Sequence, residues 1–440
     1  MAKKGHELIP SAKRLISSLR DMGYDFAQAV ADVVDNSVEA GATLINIDVE
    51  FDGNDSWVRI ADNGKGMKPD VLREAMRYGA ERKYEEDDLG KFGLGLKTAS
   101  MSQCQRLSVA SRWSEGRCEI NAFSWDLAHI QQTNRWEVLK LKGKEISPLM
   151  ANPLKNNKGT VVLWQRLDRI LGYKYPYGEM AKKKLSQICR EIELHLGMVF
   201  HKFIVGEVRG KRFKLLLNGN LIEPWDPFCQ EQKKTKKLSP INITVKHEGI
   251  SGEVVIEPFI LPHKDDFATL EEFQAASGPA NWNQQQGFYI YRAGRMIQSG
   301  GWSGFRTIDE HTKLARISVS FAPSLDEAFK INVAKMRVQL PSIMKEEVLK
   351  SITSVVKTAR EIYDRKEIKT LTGSSKKTSQ ATTALKNERI YDDKKHGPEV
   401  LSFKQWAQQI ILFATSKERE VINALLSRFQ RERGASKGTK

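Results

Sequence analysis

The segment from residue 25 to residue 40 constrains the fold most strongly, because it has a clear helical period. Its apolar residues recur at the i, i+3, i+4, i+7 spacing of one face of an α-helix. On the polar arc, Asp32 and Asn36 are neighbours at i, i+4, and Glu39 lies close to both. A helix with two carboxylates and an amide on one face indicates a binding site, although a solvated surface helix has the same pattern.

The residues that follow predict a succession of strands and helices. Residues 44–51 alternate as a strand and pair with 56–61 through a D-G-N-D turn. Pro69 stands at the first turn of a helix that reaches about residue 78. A polar, glycine-containing loop then leads to a helix near Leu96. Further strands are expected at 106–112, 117–124, 136–142 and 159–165, and a long basic helix at 179–203.

The second half of the chain is also rich in strands, and its composition then changes. Residues 213–228 read as a hairpin with an N-G turn, and a final helix is expected over 341–365. Residues 366–398 are rich in Lys, Ser and Thr and poor in apolar residues, which predicts a flexible linker. We therefore expect an α+β fold with divisions at 1–204, 205–365, 366–398 and 399–440, the last a small helical module with a basic tail. Further strands are expected at 241–247, 252–260, 287–292 and 315–321.

A short loop of sequence D-N-G-K-G-M follows the second strand. Asp62 stands at the strand end, and Gly64 and Gly66 allow the backbone to pass close to a flat ligand. A carboxylate only accepts hydrogen bonds, so it suits the exocyclic amine of adenine. An ordinary tight turn has the same letters, and the pattern alone is therefore weak.

A second glycine-rich segment, G-K-F-G-L-G-L-K, precedes the helix near Leu96. Glycines at 90, 93 and 95 allow backbone N–H groups to face an anion at a helix N-terminus. The spacing differs from that of a P-loop, and the charged loop before it argues against a dinucleotide-binding strand–turn–helix. Farther along, Gly159 and Thr160 open a strand, and the threonine hydroxyl there can donate to a carboxylate.

The ordered set of these four motifs resembles the GHKL superfamily of gyrase, heat-shock chaperone, histidine kinase and mismatch-repair ATPases. The resemblance is greatest to the MORC and MutL-like branch; it covers residues 25–165 clearly and extends less specifically to about 345. It implies a Bergerat-fold α/β sandwich that binds ATP and Mg²⁺ in residues 1–204, preceded by an N-terminal arm. The residues that it implies as ATP contacts are Asn36, Asp62, Gly64, Gly66, Met67, Gly90, Gly93, Leu94, Gly95, Leu96, Lys97 and Thr160.

The resemblance also implies a role for several of these residues. Asn36 would hold the Mg²⁺ that bridges the phosphates, and Asp62 would bind the adenine amine with support from Thr160. The glycine-rich segment would fold over the triphosphate as a lid, and Lys97 could meet a phosphate. Asp32 stands where hydrolysing members have a glutamate as general base. Because aspartate is one methylene shorter, we expect ATP binding to be retained and turnover to be slow.

Residues 205–365 resemble the transducer domain of the same superfamily, a β-α-β fold. The similarity depends on the hairpin 289–302, which carries Arg292 and Arg295, and on the stretch 331–341. Transducers send a lysine to the γ-phosphate. Lys335 is the residue that we expect in this catalytic role, with Arg337 as the alternative to it.

The charge of the chain bears on its partner. A net charge of +16 over 440 residues favours a polyanion such as double-stranded DNA, bound without sequence preference. We expect an ATP-dependent homodimer that clamps DNA in repair, chromosome or anti-phage processes. The alternatives are an ATP-dependent chaperone-like scaffold on a protein partner, or a nucleotide-sensing partner of a separate nuclease. The candidate DNA contacts are the basic C-terminal region and seven lysines of two other segments. These lysines are equally typical of solvated loops. They are Lys182, Lys183, Lys184, Lys233, Lys234, Lys236 and Lys237.

The N-terminal sequence bears on localisation. It is positively charged but lacks the apolar stretch of a secretory signal, and no apolar run approaches the ~20 residues that cross a bilayer. We therefore expect a cytoplasmic protein without a membrane partner, with nucleoid association as an alternative location.

Overall fold

A computed structural model describes residues 9–21, 23–79, 95–114, 119–331 and 338–378, the last thirteen as backbone only. Two units divide the chain, residues 1–373 and residues 374–440. In chain order the helices are α1 Ala12–Arg20, α2 Phe26–Glu39, α3 Pro69–Ala75, α4 Gly95–Met101, α5 Leu127–Thr133, α6 Pro148–Leu154, α7 Glu179–Val199, α8 His201–Val205, α9 Leu270–Ser277 and α10 Lys345–Thr378. The strands are β1 Leu44–Glu50, β2 Trp57–Asp62, β3 Arg106–Arg112, β4 Asn121–Asp126, β5 Leu139–Leu141, β6 Gly159–Gln165, β7 Lys214–Leu217, β8 Asn220–Leu221, β9 Lys236–Lys237, β10 Ile241–His247, β11 Ile250–Ile260, β12 Gly287–Arg292, β13 Arg295–Ser299 and β14 Ala315–Phe321.

The first sheet has eight strands in the order β5-β4-β3-β6-β2-β1-β7-β8. Its pairs are antiparallel except for β1 and β7, which run parallel. The register of β2 against β6 sets Asp62 opposite Thr160. Two motifs that lie 98 residues apart in sequence therefore meet where two neighbouring inner strands of the sheet end and begin.

The two faces of this sheet are covered by different helices. Along β6, Val162 and Trp164 point into the larger core, whereas Val161 and Leu163 point to a smaller apolar cluster that includes residues of α6. Helices α2 and α4 pack together over the larger core. Phe26, at the start of α2, meets the Trp164 ring edge-on at a centroid distance of 5.5 Å. The packing therefore fixes α2 over the strand pair that carries Asp62 and Thr160.

The second sheet contains the strands that follow residue 230. Its order is β10-β11-β14-β12-β13, with β9 paired to β11, and only β12 and β14 run parallel. Strands β12 and β13 form a hairpin that turns at Ala293 and Gly294, both with positive φ. Helix α7 packs against both α2 and β13, so it links the two sheets.

The α+β fold class and the helix predicted at 25–40 are confirmed, with three differences of detail. Strands β7 and β8 lie beyond the boundary predicted at residue 205 and yet complete the first sheet, because β7 adds to β1 in parallel. The predicted helix 179–203 is interrupted at Phe200, whose φ of −106° and ψ of 12° leave the helical region. Helix α10 continues to Thr378 through thirteen residues that were predicted as linker, and this stretch contains no proline that would end the helix. Residues 379–440 lie outside the described part of the chain.

Candidate functional site

Asn36 is the single exposed residue in the stretch 26–38 of α2, where every other side chain is buried. Its side-chain amide nitrogen donates to the main-chain oxygen of Asp32 at 2.8 Å. A carbonyl oxygen can only accept, so the nitrogen must be the amide atom that faces it. The amide oxygen of Asn36 is thereby turned away from the helix backbone, which leaves an oxygen acceptor at the surface.

Asp62 is held by three donors from three different segments. The Ser37 hydroxyl donates to Oδ2 at 3.0 Å, and the backbone N–H groups of Gly64 and Thr160 donate to Oδ1 at 2.8 and 3.3 Å. Burial raises the pKa of the Asp62 carboxyl, and these three hydrogen bonds oppose that rise. The result is a fixed, half-buried acceptor beside the exposed turn of α2.

The two glycines of the Asp62 loop lie against the protein's own backbone. A Cβ on Gly64 would lie 2.7 Å from Cβ of Ala40, and one on Gly66, which has φ +65°, would collide with the carbonyl of Arg112. The sequence predicted that these glycines allow close approach of a ligand. The structure shows that they also allow close approach of the loop to the end of α2 and to β3.

Thr160 supports Asp62 through its backbone N–H, whereas the sequence pattern suggested its hydroxyl. The Thr160 hydroxyl lies instead 3.1 Å from the Ser111 hydroxyl. Ser111 in turn donates to the Gly159 carbonyl at 2.9 Å and accepts from the N–H of Met67 at 2.9 Å. Ser111 therefore ties the Asp62 loop to β6, and Met67 contributes its backbone to this link while its side chain packs half-buried on the core.

Of the glycine-rich segment, only its end lies within the described residues. Gly95 and Leu96 begin α4 and are half-buried. Lys97 is buried and its ammonium donates to the Ala75 carbonyl at 3.0 Å, so it joins α4 to the end of α3 rather than facing an open site. Burial lowers the pKa of Lys97 to about 8. The residues expected at positions 90, 93 and 94, and Lys335 and Arg337, lie outside the described residues.

Asp32, the predicted general base, lies in a buried ionic network and is 4 % exposed. Its Oδ1 accepts from the Gln28 side chain at 3.0 Å and from a guanidinium nitrogen of Arg295 at 3.3 Å. The same guanidinium donates to Asp35 Oδ1 at 2.8 Å. The predicted proximity of Asp32 and Asn36 is present, but the structure encloses the Asp32 carboxylate whereas the sequence placed it on a polar face.

Two further titratable side chains surround this network. Burial and then the charge of Asp32 raise the pKa of the Tyr24 hydroxyl, so that this group remains neutral near pH 7. His195 lies 3.2 Å from the Gln28 side-chain oxygen, and burial together with the charge of Arg295 lowers its pKa to about 4. His195 thus reaches Asp32 through Gln28, which donates to the Asp32 carboxylate.

Sequence reasoning did not assign roles to Ser37, Asp35, Ser111 and Arg295. A helical projection could have found Asp35, since it lies about 60° from Asp32 around α2. Ser37 follows Asn36 directly, and a hydroxyl next to a predicted site residue is a weak signal. Ser111 has no local signal, and Arg295 was noted only as part of the transducer-like hairpin, because the partners of both come from distant parts of the chain.

Comparison with known proteins supports the superfamily that the sequence motifs predicted. A family described as "Histidine kinase-, DNA gyrase B-, and HSP90-like ATPase" matches residues 24–160. DNA mismatch repair protein MutL of Enterobacter sp. is 42 % identical over 283 residues, which cover 62 % of this chain and 39 % of the relative. MutL of Actinobacillus succinogenes is 27 % identical over 278 residues, which cover 62 % of this chain and 38 % of the relative.

The chain spans less than two fifths of the length of these relatives. The family match includes α2, the Asp62 loop and the beginning of β6, and it therefore covers Asn36, Asp62 and Thr160 but not His195 or Arg295. The superfamily and the MutL side of the predicted resemblance are confirmed. Residues 24–160 match the histidine kinase-, DNA gyrase B- and HSP90-like ATPase family, and together with the MutL relatives this match shows a GHKL-type domain close to the MutL branch in this part of the chain.

Proposed function

We propose that this chain binds ATP with its adenine against Asp62 and hydrolyses it slowly. The observation that carries the proposal is the Asp62 carboxylate, which three donors from α2, its own loop and β6 hold in one orientation. A carboxylate that is fixed in this way can only accept a hydrogen bond, so it selects a ligand with an amine at that position. Adenine carries an amine there, whereas guanine carries a carbonyl oxygen.

The residues of the site are compatible with a magnesium ion on the phosphates. Mg²⁺ prefers oxygen ligands, and the hydrogen bond from the Asn36 amide nitrogen to α2 turns the amide oxygen outward. Asn36 would therefore hold the ion, with the phosphates as its other ligands. A bound Mg²⁺ would neutralise phosphate charge and polarise the bond that breaks.

Slow turnover follows from the surroundings of Asp32. A general base must reach the proton that it removes, and the Asp32 side chain is only 4 % exposed, so water reaches it poorly. This supports binding with little hydrolysis in the described arrangement. It also favours, as a second function, a nucleotide-sensing protein whose partner performs the chemistry.

The nucleotide proposal is tested by calorimetric titration of ATP and GTP into the wild type and Asp62→Asn. The substitution replaces an acceptor by a group that also donates, so ATP affinity should fall by about tenfold or more. Asp48→Asn is the control, because Asp48 is a half-buried aspartate of the same sheet that pairs with Arg59 at 2.9 Å, away from the site. Equal ATP affinity in the wild type and Asp62→Asn would contradict the proposal.

We propose DNA as the partner, on the basis of charge and the names of the relatives. Lys182 and Lys183 are exposed at the start of α7 and make no ion pair with a described carboxylate. They follow a segment whose Tyr175 and Tyr177 are 72 % and 62 % exposed, and an exposed basic surface of this kind suits the phosphates of double-stranded DNA.

The basic loop at 233–237 supports DNA binding less well. Lys234 pairs with Asp266 and Lys237 with Glu257, both at 2.6 Å, so part of its charge is neutralised within the protein. Binding of double-stranded DNA should therefore weaken more in the double variant Lys182→Glu, Lys183→Glu than in Lys234→Gln, Lys237→Gln. Affinity that is independent of salt, or equal in both variants, would exclude a phosphate-contacting surface on α7.

The wider arrangement follows from these assignments. An ATP-dependent homodimer that clamps DNA couples nucleotide contacts to association, with the first sheet, which includes β7 and β8, in the ATP-binding domain and the second sheet in the transducer-like domain. A protein-clamping chaperone would use the same nucleotide site, and its turnover would respond to a protein partner and not to DNA. The remaining lid glycines and Lys335 keep their predicted roles in this proposal.

A further inference from the structure

Arg295 joins the second sheet to the helix that carries the predicted catalytic residues. It begins β13 and is 1 % exposed. Its Nε donates to Asp35 at 2.8 Å and its Nη2 to Asp32 at 3.3 Å. The guanidinium also lies 5.8 Å from the centre of the Phe200 ring, just beyond the end of α7. One side chain of the hairpin thus contacts two carboxylates of α2.

The charges of this cluster make the position of Arg295 critical. Asp32 and Asp35 are both almost fully buried and lie on the same turn of α2, and among the described residues Arg295 forms an ion pair with each of them. Buried carboxylates without a counter-charge are strongly unfavourable, and two of them close together also repel each other. The orientation of the Asp32 carboxylate therefore depends on the guanidinium.

A second arginine of the same hairpin supplies the contrast. Arg292 ends β12, is equally buried, and forms two hydrogen bonds with Asp326, at 2.7 and 2.8 Å. Asp326 follows β14, so this ion pair lies wholly within the second-sheet region. Arg292 stabilises that region, whereas Arg295 reaches out of it to α2.

We propose that Arg295 is a positioning residue that orients Asp32 for ATP hydrolysis and makes this orientation depend on the β12–β13 hairpin. The inference rests on the proposed ATPase function of the same site. A displacement of the hairpin relative to α2 would carry the guanidinium with it and change the orientation of the Asp32 carboxylate. Turnover is thereby coupled to the second sheet through the Arg295–Asp32 contact, whereas nucleotide binding at Asp62 does not involve this contact.

The test compares Arg295→Met with Arg292→Met in steady-state ATP hydrolysis, with ATP affinity measured separately. For Arg295→Met we expect kcat per folded molecule to fall by about tenfold or more while the Kd for ATP stays within about threefold. Arg295→Lys keeps the positive charge and should recover part of the lost kcat. Arg292→Met removes an equally buried ion pair and should lose stability but keep kcat within about twofold.

Asp35→Asn keeps the inference testable if Arg295→Met does not fold. It removes the shorter anchor of Arg295 with little change of shape, so kcat should fall with ATP affinity unchanged. A normal kcat in Arg295→Met or in Asp35→Asn would overturn the positioning role, as would an equal loss of kcat in Arg292→Met. A wild type that binds ATP but shows no turnover would instead overturn the hydrolytic function, and the role of Arg295 with it.

Discussion

The hydroxyl of Ser37 donates a hydrogen bond to Oδ2 of Asp62 at 3.0 Å, and this contact joins α2 to the loop after β2. Ser37 directly follows Asn36 on the helix, so the proposed magnesium ligand and the proposed adenine ligand are connected through one side chain. The positions of the two ends of a bound nucleotide are thereby linked by the protein itself.

Replacing Ser37 by Ala should weaken ATP binding by about tenfold, because a hydrogen bond to a carboxylate contributes about 1.5 kcal/mol or more. Isothermal titration of the variant measures this loss. Ser17→Ala is the control, since Ser17 donates only to a carbonyl of its own helix α1. Unchanged affinity in Ser37→Ala would mean that the orientation of Asp62 does not matter for the nucleotide.

Ser111 should matter more than Thr160 for the stability of the site. Ser111→Ala removes an acceptor for the Met67 N–H and a donor to the Gly159 carbonyl, and we expect a loss of about 2 kcal/mol. Thr160→Val keeps the backbone N–H that supports Asp62 and should cost less than about 1 kcal/mol. Urea unfolding of both variants decides the order, and a larger loss in Thr160→Val would restore the hydroxyl as the supporting group.

Gly66→Ala should destabilise the protein more than Gly79→Ala. The two glycines have nearly equal φ values, +65° and +66°, so an alanine meets a similar backbone penalty of about 1 kcal/mol at each. Only at Gly66 would the new Cβ strike the Arg112 carbonyl; at Gly79 no atom of the described residues lies within 4 Å. The difference between the two unfolding free energies should be about 2 kcal/mol, and equal losses would show that the loop can move away from β3.

Lys97 predicts a specific dependence of stability on pH. Burial lowers its pKa from 10.5 to about 8 in the folded protein, so between these values the unfolded chain holds a proton that the folded chain has released. Raising the pH through this window therefore favours the folded state. Relative to Lys97→Met, the wild type should gain on the order of 2 kcal/mol between pH 7 and pH 10. A difference in unfolding free energy that is constant with pH would show that Lys97 is not desolvated.

The local parts of the site could be predicted from the sequence, because short spacings determine them. The helix of Asn36, the strand end at Asp62 and the strand start at Thr160 all lie where periodicity and turn residues placed them. Antiparallel pairing of β2 and β6 then brings Asp62 and Thr160 together. Only the resemblance to the GHKL superfamily predicted that these two residues would meet.

Other features depend on long-range packing that no local pattern encodes. Arg295 and Asp35 are separated by 260 positions, and the contact exists only because α7 and β13 pack on α2. The use of the Thr160 backbone instead of its hydroxyl depends on strand register. Helices α5, α6 and α9 have seven or eight residues, too few to show a helical period, and the sequence reading did not find them.

The most direct test of the proposed function is ATP turnover of the full chain with Mg²⁺ at low salt, with and without double-stranded DNA, beside Asn36→Ala and Asp32→Ala. The wild type should hydrolyse ATP slowly and faster with DNA. Asn36→Ala should lose magnesium-dependent ATP binding, whereas Asp32→Ala should bind ATP without hydrolysing it. Turnover that is equal in all three proteins would show that ATP is not processed at this site.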